Sequence, residues 1–179
     1  MKIFNTFYFF ILIFLMINIT GLLYCQDDSK KETEISEISL EQKELLFVLN
    51  NALKDFEIIK MFGEPEEKSE SSLWGADGFE HQTWYFKSQG LEIDFIKDAT
   101  KTQIVNSINI SSPATLKTSK EIGIESTKND VLIAYKNEIN EEESKIDKGM
   151  IVAGSIYGGV IFKINNGKVK SIFIGASAE

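Results

Sequence analysis

Gly90-Leu91-Glu92-Ile93-Asp94-Phe95, followed by Val105-Asn106-Ser107-Ile108-Asn109-Ile110, decides the fold, because it has a counterpart later in the chain. That counterpart is Gly159-Val160-Ile161-Phe162-Lys163-Ile164, followed by Val169-Lys170-Ser171-Ile172-Phe173-Ile174. Each copy reads glycine, an alternating strand, a polar turn, then Val-x-Ser-Ile-x-Ile. Upstream of each lies a helix-like run ending in an aromatic, Ile58 to Phe62 and Val131 to Tyr135. An internal repeat constrains architecture before any local pattern does.

The flanking segments fill in the elements. Ser39 fits an N-cap, with Gln42 three residues on. Leu45, Leu46, Val48, Leu49, Leu53, Phe56 and Ile59 follow at mostly helical spacings, with Asn50-Asn51 as a break and Asp55 as a second cap. Gly63 and Pro65 end the helical stretch. Glu66 to Gly78 reads as a polar loop carrying Trp74. Three strands follow, His81 to Lys87, Leu91 to Ile96 and Ile104 to Ile110, the last with Ile104, Ile108 and Ile110 on one face. Thr127 with Asp130 caps another helix. Three more strands then run from Met150 to Tyr157, Val160 to Ile164 and Lys168 to Ile174, with Asn166-Gly167 as a tight turn. Such alternation fits an antiparallel sheet with one covered and one open face.

The expected fold is therefore α+β, two tandem helix-plus-three-stranded antiparallel meander units with helices packed on one side of the sheet. The units cover residues 40–114 and 115–179 and together make one domain. Residues 26–39 are polar and charged and read as a flexible tether.

Residues 1–25 read as a signal peptide: Lys2, then an apolar run from Phe7 to Ile17 that is short for a span of ~20 residues. An uncleaved anchor is the alternative, and either reading exports the folded part. Cys25 is the single cysteine, so an intrachain disulfide is excluded. Leu22-Leu23-Tyr24-Cys25 resembles a bacterial lipoprotein box, departing from it at Tyr24, where a small residue is usual. Lipidation at Cys25 and plain cleavage beside it both stay open. The expected location is the periplasm, the outer-membrane surface or the extracellular space, with membrane contact only through leader or lipid. The net charge is −8, and all 19 basic residues are lysines. An acidic chain without arginine is a poor nucleic-acid binder.

Phe62-Gly63-Glu64-Pro65 resembles the helix-closing motif of the SmpA/OmlA (BamE-like) lipoproteins. Thr118, Ile122-Gly123-Ile124, Ser126-Thr127, Asp130-Val131 and Tyr135 resemble a recurrent pattern of secreted bacterial repeat modules, departing from it at Tyr135-Lys136-Asn137-Glu138, which lacks the glycine and proline. The tandem is similar in layout to the β-lactamase-inhibitor-protein-like fold, over about residues 40 to 176. The resemblance implies an envelope accessory lipoprotein, or an inhibitor-like protein that captures an extracytoplasmic enzyme on its sheet.

Catalytic signals are sparse. His81 is the only histidine, so a small secreted hydrolase would have to use it, and no Gly-x-Ser-x-Gly turn surrounds any serine. One histidine and one leader cysteine cannot make a zinc cluster, and Glu141-Glu142-Glu143 with Asp147 lacks the ligand alternation of a calcium loop. Gly154, Gly158 and Gly159 precede a strand, not the helix a phosphate loop needs. No catalytic residue, metal site or cofactor is expected. The expected function is a non-enzymatic protein-binding or envelope-assembly module acting on a protein partner. Its surface is the open sheet face with Tyr85, Ile161, Lys163 and Phe173, rimmed by Glu92 and Asp94, and the loop bearing Trp74. Tyr85, Ile161 and Phe173 should lie together and exposed.

Overall fold

Helix α1, Leu40–Val48, starts where expected: the Ser39 side chain accepts the Gln42 N–H at 3.1 Å. It stops at Asn50-Asn51, both with positive φ (48° and 62°), a conformation asparagine tolerates better than most residues. Helix α2, Asp55–Phe62, follows. Asp55 is its first residue and not its cap; Glu57 Oε2 instead accepts the Leu53 and Lys54 N–H groups at 3.0 Å each. Gly63, at φ 86°, closes α2. Helix α3, Lys128–Ala134, carries the reciprocal Thr127–Asp130 capping box. The structure, a computed structural model, describes residues 38–97 and 102–177. The leader, Cys25 and nearly all of the tether lie outside those residues.

The eight strands are β1 (Glu67–Lys68), β2 (Ser72–Leu73), β3 (Glu80–Phe86), β4 (Leu91–Lys97), β5 (Gln103–Ser111), β6 (Met150–Ser155), β7 (Gly158–Asn165) and β8 (Lys168–Gly175). They form one sheet in the order β1-β3-β4-β5-β8-β7-β6, with β2 also on β3, and every pairing is antiparallel.

Register aligns the side chains in rows across six strands. One row is Phe86, Leu91, Ile110, Ile172, Phe162 and Ile151; another is Trp84, Ile93, Ile108, Ile174, Val160 and Ala153. All twelve are buried in a single core with Leu45, Val48, Leu49, Ile58, Val131 and Tyr135 of the helical side. The rings confirm the layering: Phe62 lies 5.8 Å from Phe86, and Tyr135 lies 5.0 Å from Phe162. Between these rows, facing the other way, runs Tyr85, Glu92, Asn109, Phe173, Ile161 and Val152.

The expected architecture of two helix-plus-three-strand units is wrong. Among the described residues the molecule is one continuous eight-stranded antiparallel sheet, dominated by strands, with three short α-helices distributed unevenly. Among the described residues two α-helices precede β1 and only one lies between β5 and β6. Strands β1 and β2, in the segment expected to be a loop, extend the sheet past β3. Helix α1 does not cover the strands that follow it; it packs on β7 and β8 at the far end of the chain. A buried carboxylate fixes that choice. Glu44, fully buried, accepts the Ser119 N–H, the Ser119 hydroxyl and the Tyr135 hydroxyl, each at 2.7 Å. Burial, partly offset by a hydrogen bond with Thr118, pushes the Tyr135 phenol well above its ordinary range, so it stays a donor.

Each Val-x-Ser stretch carries a β-bulge. Asp94 pairs with Ser107 but Phe95 pairs with Val105, leaving Asn106 as the extra residue; Lys163 pairs with Ser171 but Ile164 with Val169, leaving Lys170. The first bulge overturns the expected facing of Ile104. Ile104 pairs with Ile96 and faces away from Ile108 and Ile110, because one inserted residue reverses the alternation.

Candidate functional site

β2 and β3 form a hairpin whose tip is Trp74–Phe79. The tip closes on itself through Trp74 N–H to Phe79 O and Gly78 N–H to Trp74 O, both 3.0 Å. Asp77 Oδ1 accepts the Phe79 N–H at 2.9 Å, an Asx turn, and Gly78 takes the positive φ (76°) the turn needs. This folds the tip back over the start of β3.

The tip meets His81 there. The imidazole is 2% exposed and engaged at both nitrogens. Nε2 lies 2.8 Å from Asp77 Oδ2, and Nδ1 lies 2.7 Å from Asp94 Oδ2. Trp74 stacks flat on the ring, with centroids 3.7 Å apart and planes 5° from parallel. The bulge residue Asn106 donates from Nδ2 to the same Asp94 Oδ2 at 3.1 Å. Asp94 is 7% exposed, and its Oδ1 is buried without a hydrogen-bond partner. The Phe79 N–H foremost, and then the His81 contact, hold the Asp77 carboxyl below its ordinary value of 3.8.

Chemically this is an imidazole clamped between two carboxylates under an indole. Carboxylates accept, and both ring nitrogens are committed to them. Neither nitrogen is left to activate a hydroxyl, and among the described residues no serine hydrogen-bonds His81. The serine-hydrolase arrangement considered from the sequence is therefore not assembled. The two carboxylates take different ring nitrogens, and among the described residues no set of three or more His, Cys, Asp or Glu side chains is placed to hold a metal ion.

The sequence-selected residues fall into two adjacent groups on the face away from the helices. Trp74 and Asp94 join the His81 cluster. Asp94 is buried beneath it, not part of an exposed rim. Tyr85, Glu92, Phe173 and Ile161 share the row described above, and Lys163 lies two residues along β7 from Ile161. Tyr85 and Phe173 are half-buried, and Glu92 and Lys163 are exposed. Ile161 departs from expectation: it is 5% exposed, set between Phe173 and Val152 on the neighbouring strands. The expected exposed trio is thus a contiguous row with two accessible aromatics and a buried isoleucine.

Asp77 and Asn106 were not anticipated. Asp77-Gly78, four residues before His81, is a turn signal that also sets a carboxylate within reach of the imidazole. On the helical side, a cleft of about 380 Å³ is lined by Asn50, Asn51, Ala52, Glu57, Lys60 and Met61. The Glu57 carboxylate there is committed to the Leu53 and Lys54 backbone N–H groups. Compared with family models, curated proteins and solved structures, the chain matches none of them.

Proposed function

We infer that the protein is an exported, non-enzymatic binding module that engages a protein partner through the sheet face opposite its helices. The row Tyr85–Glu92–Asn109–Phe173 carries the reading: it sets two accessible aromatics and an exposed carboxylate in one row across four strands of the sheet. Aromatic anchors with a polar rim are what recognition surfaces concentrate.

The sheet edges support the same choice. A partner strand could add only to unpaired backbone groups. On β3 those groups are taken: Tyr85 O accepts Glu66 N–H, Thr83 O accepts Ser69 N–H, and Ser69 Oγ accepts Thr83 N–H. On β6, Val152 O accepts Asn140 N–H, Ser144 Oγ accepts Val152 N–H, and Glu138 O accepts Gly154 N–H. With the β3 and β6 groups occupied, and the outer strands β1 and β2 only two residues long each, the sheet offers little edge for strand addition, which supports recognition through the face. Glu92 favours a partner patch offering an apolar pocket for Phe173 or Tyr85 beside a basic side chain.

The test is affinity capture from envelope extract, comparing the tagged mature chain with Tyr85→Ala/Phe173→Ala and with Glu92→Lys. One protein retained by the wild type and lost from both variants, all three sharing one urea midpoint, is the expected result. Equal retention by all three would overturn the face. The N-terminal mass of the mature protein separates lipidation at Cys25 from plain cleavage.

A further inference from the structure

We propose that the Trp74–Phe79 tip is a proton-controlled latch, held against the sheet by His81 and released when the His81–Asp94 pair loses its shared proton. The argument is independent of the binding reading above.

Two contacts of 2.7 and 2.8 Å join one imidazole to two carboxylates. Carboxylates only accept, so both contacts are hydrogen bonds only if a proton lies in each. One proton sits between Nε2 and Asp77. The other sits between Nδ1 and Asp94, and belongs to that pair wherever along the bond it rests. Remove it, and a neutral imidazole with one N–H faces two acceptors. One contact then becomes a clash of lone pairs.

Exposure decides which contact breaks. The Asp94 side chain is 9% exposed and is also held by Asn106, so losing its donor strands a buried charge. The Asp77 side chain is 39% exposed and can turn to water at little cost. The remaining N–H therefore goes to Asp94, and Asp77 leaves with the tip. Little else holds the tip. Its backbone bonds run within the hairpin and move with it. Leu73 and Phe79 are 71% and 45% exposed and anchor nothing in the core. A side chain added at Gly75 or Gly78 would meet nothing within 4 Å, so the tip has room to swing. The Trp74 stack is itself strengthened by a cationic ring and weakens with its charge.

The groups facing His81 are Asp77 and Trp74 from the tip, Asp94 and Ile96 from β4, Asn106 from β5 and Ser72 from β2. The nearby Lys97–Glu80 ion pair belongs to the alternate, helix-facing positions of β4 and β3. The tip is thus closed at lower pH and opens as pH rises. A second release occurs in strong acid: the Asp77 carboxyl is held below 3.8, so its contact survives down to that lowered value and is lost beneath it.

The experiment is acrylamide quenching of Trp74 fluorescence in the full chain, isolated by subtracting the Trp74→Phe signal, from about pH 5 to about pH 9. Quenching should rise several-fold, reversibly, in one step as pH increases. His81→Gln should abolish the step. Asp77→Asn guards against misfolding of that variant: an amide can donate to the bare Nε2, so this variant should stay closed across the range. A wild-type signal that does not change with pH, or a step that persists in either variant, would overturn the latch.

Discussion

Glu44→Ala is the sharpest test of how this chain is assembled. The carboxylate is fully buried, and it joins α1 to Ser119 and to Tyr135, 91 residues away. It accepts three hydrogen bonds at 2.7 Å. Hydrogen bonds to a charged acceptor contribute about 1.5 kcal/mol each at the lower end. Three give roughly 4.5 kcal/mol, trimmed to about 4 because Ser119 is solvent-exposed and can rehydrate. A domain of this size has about 5–15 kcal/mol in total, so the loss is severe. With a urea slope near 2 kcal/mol per molar, the unfolding midpoint should fall by about 2 M. Tyr135→Phe removes one bond and should cost about 1.5 kcal/mol. In the double variant the two effects should fall short of additivity by about 1.5 kcal/mol, because the same bond is removed twice. A Glu44→Ala midpoint within about 0.3 M of wild type would show that α1 is not fastened to β7 and β8 through this residue.

Two further outcomes follow from the backbone and from acid. Gly90 sits at φ 69°, and a Cβ there would lie 2.2 Å from Ser111 O, whereas at Gly167 (φ 74°) it would meet nothing within 4 Å. Gly90→Ala should therefore cost more than about 3 kcal/mol and Gly167→Ala only about 1, read from paired denaturant melts; equal losses would refute the packing argument. The Ser88 side chain and N–H, together with the Lys87 N–H, hold the Glu66 carboxyl down from 4.5 to about 2. Because the native value is the lower one, its stabilisation is complete above pH 4.5 and fades as pH falls toward about 2. Glu66→Gln should flatten that part of an acid melting profile and leave its neutral part in place.

The strands were legible because β4 and the end of β5 alternate cleanly, as a sheet with unlike faces imposes, and because β7 and β8 carry short apolar runs, Val160-Ile161-Phe162 and Ile172-Phe173-Ile174, next to turn residues. β1 and β2 were not, being two exposed residues each with no apolar member to alternate except Leu73. The position of α1 was not legible either. Amphipathic spacing shows which side of a helix is buried but not which strands bury it, and the Glu44–Tyr135 bond is a long-range choice. The bulges are readable in the spacing of the core residues. In Val105-Asn106-Ser107-Ile108-Asn109-Ile110, the core residues Val105 and Ile108 are three apart and Ile108 and Ile110 two apart. An odd interval between residues on one face of a strand requires an extra residue between them.

That extra residue links the repeated motif to the site. Both stretches place their bulge at the x of Val-x-Ser, so the backbone device is shared, but the residue in the slot differs. Lys170 turns to an exposed partner, Glu125, at 2.5 Å. Asn106 reaches Asp94, the buried carboxylate under His81. An exposed ion pair contributes little, whereas an amide on a buried carboxylate meets part of a large desolvation cost. Asn106 also adds no charge that would compete with the imidazole for Asp94. A lysine in its place would set a cation on Asp94 and compete with the imidazole for it. The same bulge thus serves as surface decoration in one half of the sheet and as a support for a buried His–Asp pair in the other. The shared strand pattern becomes a support for the His–Asp pair where one slot is filled with a neutral hydrogen-bond donor.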